Sequence, residues 1–339
     1  MRRSLIRIGF AGALLLLLTA GNLAAQAPGA DVERNDKSSV AEAATFLLVP
    51  VGARSVGLGG AVASSRADIE GSLWNPASLA GLRGSAVYAM GGQDFAASAR
   101  VLGGVVALGE LRAGLTLLHY DLGSVEARDA TNTPLGQIDP SQTAFVLSAA
   151  YPILDWLDLG ASGKLLRLSA SCSIACGALD ETSTGFAFDL GAVATFAAHG
   201  GLRGGLLLRN LGPGIGYADG PSDPLPARLR LGMEADLPTL MSGQDYWSSG
   251  QIGLLIRADL QQTFSEFDDF DAHFGAELAW RRLLMVRGGY AASSEGRSGP
   301  TIGLGLRYGG VVLDLGYGFN DFARFDSGTP LQLSVGFQF

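Results

Sequence analysis

The chain has 339 residues, of which 47% are hydrophobic, 17% are charged and 49 are glycine, and its formal charge is −8. That acidic balance leaves no basic footprint for nucleic acid, and the charged fraction lies below the quarter usual in soluble domains. Glycine at about twice its ordinary frequency argues against a helical protein and suits strands whose backbones approach one another closely.

The opening stretch MRRSLIRIGFAGALLLLLTAGNLAAQA carries Arg2, Arg3 and Arg7, then an apolar run, then small residues. This is the layout of a secretory signal peptide covering 1–25, with cleavage expected after Ala25. No later run of some 18 apolar residues follows, so no membrane-crossing helix is expected. An exported, apolar, glycine-rich chain of this kind points to the bacterial outer membrane.

Residues 38–83 fit neither strand nor helix periodicity, and 26–83 is expected to be a plug ahead of a barrel at 84–339. Within it, Pro76 biases Asn75 away from helix and favours a turn through Asn75, Pro76 and Ala77. Gly57, Gly59 and Gly60 permit tight backbone packing. The GLGG they belong to lacks the spacing and the preceding strand of a phosphate loop, so no nucleotide or other cofactor is expected.

From Gly84 onward apolar and polar residues alternate in segments divided by turn signals. The expected fold is an all-β transmembrane antiparallel barrel of about fourteen strands with an N-terminal plug. The strands are placed at 85–91, 95–109, 112–122, 142–153, 157–168, 184–197, 202–210, 226–237, 251–263, 272–282, 284–292, 300–308, 311–320 and 330–339. The connections alternate between short turns and longer loops, as in outer-membrane barrels. GGQD is too short for an outer loop and PTLMSGQDYWSSG too long for an inner turn. A two-sheet soluble sandwich is the rival fold.

Cys172 and Cys176, in SCSIACG, are expected to form a small disulfide loop, since export favours oxidation and no histidine lies near for a metal. Further on, Arg228, Arg230, Glu234, Asp236, Arg257, Asp259, Glu277, Arg281 and Asp314 fall on the face opposite the greasy one. In a membrane barrel they line the lumen, because a cation facing mid-bilayer lipid is costly. Both signs mix there, which suggests bracing of a filled barrel and speaks against a greasy conduit. EFDDFD (266–271) reads as a solvated acidic loop. His119 and His273 stand far apart in sequence, with no nucleophile motif to serve. Tyr151, Trp156, Trp280, Tyr308 and Tyr317 suit an interface girdle. In the last strand Leu331, Leu333, Val335, Phe337 and Phe339 alternate without a fault; they are expected to face lipid and to present the chain to the barrel-assembly machinery.

GARSVGLGGA (52–61), ADIEGSLWNPASLA (67–80), LLLRNLG (206–212) and LPARLRLG (225–232) together resemble the PorV/PorQ family, relatives of the FadL-type outer-membrane transporters. Asn75, Pro76 and Ala77 are the shared hallmark. The resemblance implies a barrel plugged from the periplasmic side and no enzymatic activity. It also implies an accessory role in type IX protein secretion, with a translocon and exported cargo as partners bound through loops 123–141, 169–183, 211–225, 264–271 and 320–329. The alternatives are a FadL-like channel or transporter for small hydrophobic solutes and, as a minor one, a barrel hydrolase using His119 or His273.

Overall fold

A computed structural model describes residues 42–94, 97–129, 131–174, 181–196, 201–216, 221–242, 252–264, 270–292, 298–319 and 331–339. The expected signal peptide and the first part of the expected plug lie outside these residues. Strands β1 (Ala86–Asp94), β2 (Ala97–Leu108), β3 (Leu111–Asp121), β4 (Val125–Arg128), β5 (Pro134–Leu154), β6 (Leu157–Ile174), β7 (Glu181–Thr195) and β8 (Leu202–Leu211) come first. β9 (Arg228–Asp236), β10 (Ile252–Thr263), β11 (Phe270–Trp280), β12 (Leu284–Ala292), β13 (Gly299–Tyr308), β14 (Val311–Gly318) and β15 (Leu331–Gln338) follow. β1 pairs antiparallel with β15, from Ala86↔Gln338 to Gln93↔Leu331, and β3 pairs with β5, from Arg112↔Ala150 to Asp121↔Ser141. The sheet is thus a closed antiparallel barrel of fourteen strands, with β4 as an extra strand on β5. Closure removes the free edges that two stacked sheets would keep, and the sandwich alternative falls with it.

Period-two alternation sets the facing. On β9, Leu231 and Met233 are exposed while Arg228, Arg230, Glu234 and Asp236 are buried. On β15, Leu331, Leu333, Val335 and Phe337 point outward, Gln332 and Ser334 inward, and Phe339 just past the strand is exposed. Such an apolar exterior is what a barrel presents to a bilayer. Leu231→Arg is therefore expected to block insertion into lipid vesicles, since a lipid-facing arginine costs ~2–4 kcal/mol. Arg230→Leu should insert at near wild-type yield: Arg230 stands 3.8 Å from Asp259, which keeps the amides of Val62 and Ala63 as donors. Equal yields would refute the facing.

Connections at 109–110, 155–156, 281–283 and 309–310 are tight and lie at the end of the barrel that carries Phe339. Gly109, Gly309 and Gly310 take φ of 64°, 56° and 84°, a region open to glycine. Arg281 and Arg282 take 50° and 53° in the β11–β12 turn, which costs about 1–2 kcal/mol each. At this same end 237–251 is the long exception, beginning with a one-and-a-half-turn helix, Leu237–Ser242.

Several boundaries differ from expectation. GGQD (91–94) belongs to β1 and pairs with β2, leaving only 95–96 between them. The expected loop 123–141 holds β4 and the start of β5; β4 continues the line of β3 and turns back at 129–133. There the side chain and amide of Thr131 and the amide of Thr133 donate to the Asp129 carboxylate and hold it below the usual range. β6 runs on to Ile174 against β5, and β11 starts at Phe270 inside the expected acidic loop. Pro134, Gly136, Asp139 and Pro140 read as loop residues, which hid the start of β5.

Candidate functional site

Residues 42–83 lie inside the ring. Glu42 ion-pairs with Arg228 at the long-loop end of β9, and the Ala43 amide donates to the Pro224 carbonyl beside it. Ser85 meets Phe339 at the tight-turn end. Residues 42–83 therefore run from one mouth to the other; the side from which the expected plug enters depends on residues outside the described ones.

The segment is a series of short turns: 3-10 turns Thr45–Leu48, Ile69–Ser72 and Pro76–Gly81, and the one-turn helix Ala53–Gly57. Asp68 caps the second 3-10 turn by accepting from the Glu70 amide (3.1 Å). Asn75 caps the third through the Ala77 amide (3.1 Å), with Pro76 in the first position, where its missing N–H costs nothing. The Asn75 amide group also donates to the carbonyls of Ala63 (2.6 Å) and Ala192 on β7 (3.3 Å). Asn-Pro-Ala thus ties the segment to itself and to the wall.

Inward-facing glycines make this packing possible. A Cβ on Gly160, Gly191, Gly205, Gly275, Gly289 or Gly316 would fall inside 3 Å of Ala77, Asn75, Ala63, Leu58, Gly59 or Ala53 respectively. Gly57 and Gly303 abut each other in the same way, and Gly60 lies under the His273 ring. At Gly160, Gly205, Gly275, Gly289, Gly303 and Gly316 backbone rests on backbone, and at Gly191 the Asn75 side chain takes the place. This belt accounts for much of the glycine excess.

The inner face divides into two arcs. Over β8–β14 it is charged and buried. Arg54 pairs with Asp68 and reaches Glu277 (3.4 Å); Glu277 also accepts from Arg287 Nε (2.6 Å), and Arg287 continues to Asp314. Glu234 accepts from Arg203 and Arg257. Asp259 accepts from Val62 and Ala63 at 2.8 and 2.9 Å, and Arg228 grips Glu42 with both guanidinium nitrogens at 2.8 Å. Glu70 accepts from Ser334 Oγ (3.0 Å) and from the amides that open the helix Ala53–Gly57. Buried charge is tolerated where groups of opposite sign pair and hydrogen-bond in this way.

Over β1–β6 the inner face is mainly apolar: Tyr88, Met90, Val101, Val105, Leu118, Tyr120, Val146 and Leu166 are buried there, beside Arg112, Thr116, Ser148, Asp158, Ser162 and Lys164. The expected charged lining thus holds over β8–β14 and not over most of β1–β6. The expectation came from β8–β14, and on strands such as β2 both faces are apolar, so alternation could not name the inner one. The segment meets this arc through a triangle of buried hydroxyls, Ser72, Tyr88 and Thr116.

A β-bulge joins the two arcs. Pairing of β7 with β8 shifts between Phe188 and Leu190, Asn210 takes φ 54°, and Arg209 and Asn210 both turn inward. Lys164 Nζ then contacts Asp189 and Asn210 Oδ1, both at 2.7 Å, and the Asn210 amide donates to Asp189 (2.8 Å). Arg209 donates to the Leu47 carbonyl (2.8 Å) and lies over the Trp74 ring at 5.0 Å. Beside this cluster is a cavity of about 20 Å³ bounded by Phe46, Leu73, Trp74, Leu118 and Val146 together with Lys164 and Arg209. It has room for one water, far less than an aromatic ring needs. Toward the long-loop mouth, Pro140, Gln142, Leu168, Ala170, Glu181 and Ser183 line a recess of about 230 Å³.

The expected lumen charges Arg228, Arg230, Glu234, Asp236, Arg257, Asp259, Glu277 and Asp314 are all buried on the inner face. Asp236 accepts from the Thr239 amide (3.3 Å) and caps the helix Leu237–Ser242. Arg281 is a correction: β11 ends at Trp280, so Arg281 sits exposed in the turn, its guanidinium 5.2 Å from the centre of the Trp280 ring. Cys172 is disulfide-bonded, and Cys176 lies outside the described residues. His119 pairs with Thr143 (3.0 Å) and His273 with the Gly59 carbonyl (2.7 Å), on separate strands. Sequence reading missed Lys164, Asp189 and Trp74. The first two were findable as lone charges at inward positions of otherwise clean alternations; Trp74, in an aperiodic stretch, gave no such signal.

No family model matches the chain, and no curated protein matches it significantly. Solved structures do. The Pseudomonas putida toluene transporter TodX superposes with TM-score 0.58 at 12% identity, covering 83% of this chain and 95% of its own. The CymD monoaromatic hydrocarbon channel gives 0.59 at 15%, covering 86% and 98%, and a Pseudomonas aeruginosa FadL homologue 0.53 at 12%, covering 86% and 99%. At such identities the likeness is one of fold: this chain has the FadL-like barrel architecture.

Proposed function

We propose that the protein is an outer-membrane channel or transporter for small apolar solutes, and not an enzyme. The observation that carries this reading is the mainly apolar β1–β6 inner arc, with the cavity at its border with the charged arc and the recess outward of it. The named activities of TodX and CymD support it by analogy of fold. On this reading the tight turns face the periplasm, residues 42–83 act as a plug, and the β15 alternation addresses the barrel-assembly machinery. The secretion role implied by the PorV/PorQ resemblance rests on the sequence motifs alone and is the lesser reading; recovery of a secretion component with the chain from native membranes would favour it.

The test is uptake of labelled toluene by intact cells that lack other hydrocarbon channels. Expression of the chain should raise uptake over vector-only cells. Val146→Trp, whose indole is far larger than the cavity and closes this part of the arc, should lower it about tenfold, while Leu147→Trp on the outward side should not, Leu147 being 66% exposed. Uptake no greater than in vector-only cells would overturn the proposal.

A further inference from the structure

The β11–β12 turn puts the least suitable residues in the most demanding positions. β-turns with both central residues at positive φ are made by Asn, Asp and Gly, and the two-residue β13–β14 turn at this same end uses Gly309 and Gly310. Here Arg281 and Arg282 hold those positions, each exposed and each in the left-handed region. Backbone held against preference by long, charged side chains points to something those side chains do. Trp280, the last residue of β11, is half exposed on the outward apolar face, and Arg281 stacks on its ring at 5.2 Å. Leu278 and Leu284 extend that face along the adjoining strands. A stacked guanidinium keeps its N–H edge free for an oxyanion, and the ring beneath it marks the depth where hydrocarbon gives way to headgroups.

We infer that Arg281, Arg282 and Trp280 form a binding site for the phosphate of an anionic phospholipid in the leaflet at the tight-turn end. Arginine forks match phosphate oxygens in two-point contacts. The lipid's acyl chains would lie along Leu278 and Leu284, which is why the occupant is a lipid and not a free anion. The site is independent of what passes through the barrel.

The experiment places the full-length protein in nanodiscs of phosphatidylcholine with or without phosphatidylglycerol, measuring bound lipid by native mass spectrometry and the thermal unfolding midpoint. Wild type should retain phosphatidylglycerol about tenfold over phosphatidylcholine and unfold later when it is present. Arg281→Asn/Arg282→Gly, which suits the turn, should unfold later than wild type in phosphatidylcholine alone and lose the preference. Arg281→Gln/Arg282→Gln should lose the preference without that gain. Equal retention of the two lipids by wild type, or a preference that survives in both variants, would overturn the inference. So would competition by millimolar inorganic phosphate in detergent, which would mark a site for free anions.

Discussion

Gly289→Val is expected to unseat the inner segment and turn a silent barrel into a conducting one, while Gly288→Val, one residue away, should change nothing. Gly288 faces outward with open space around its Cβ position; Gly289 faces inward, and a Cβ there would fall inside 3 Å of the Gly59 amide and the Leu58 carbonyl carbon. The obstacle is backbone on both sides. Gly59, at φ 63°, is itself wedged against Tyr290 and Phe274, so it has nowhere to retreat. Overpacking of side chains costs about 1–3 kcal/mol, and a clash with main chain that cannot repack exceeds that. The segment should leave the wall before the closed sheet opens. An emptied ring of fourteen strands approaches the size at which barrels carry water. Planar-bilayer recordings check this: wild type and Gly288→Val should be quiet, and Gly289→Val should show open steps. A quiet Gly289→Val barrel whose segment still resists protease would refute the packing argument.

Arg287→Leu should be the most destabilising single change to the charged arc. Arg287 is fully buried, donates to Glu277 at 2.6 Å and also holds Asp314. Deleting it strands Asp314 in the interior, and breaking a buried, hydrogen-bonded pair costs about 3–5 kcal/mol. Glu277 suffers less, because Arg54 remains 3.4 Å away. Arg287→Leu/Asp314→Leu should accordingly recover much of the loss, since it removes the stranded charge together with its partner. Urea unfolding followed by heat-modified gel migration measures both. A single variant as stable as wild type would mean that the ion pairs do not brace the barrel.

The strands were legible because alternation is strict wherever one face is apolar and outward and the other carries charge or polar groups, as on β9, β10 and β15. Of the nine charges that this logic turned inward, eight are buried and Arg281, one residue past the end of a strand, is exposed. The same logic could not see the apolar arc, because Ala99, Val101 and Val105 inside β2 look no different from Leu102 and Val106 outside it. Nor could it see the bulge on β8, where Arg209 and Asn210 are both buried although alternation sends them to opposite faces. Asn75, Pro76 and Ala77 were legible as a turn; their contacts with Gly160 and Gly191, more than eighty residues on, are set by tertiary packing alone.

The Ala53 amide donates to Ser334 Oγ (2.8 Å), and Ile69 lies where a Cβ on Gly336 would go. The earliest part of the interior is thus completed by the last strand of the chain. Sealing the cylinder and seating its contents become one event, and a polypeptide stopped short of β15 has neither a finished wall nor a settled filling.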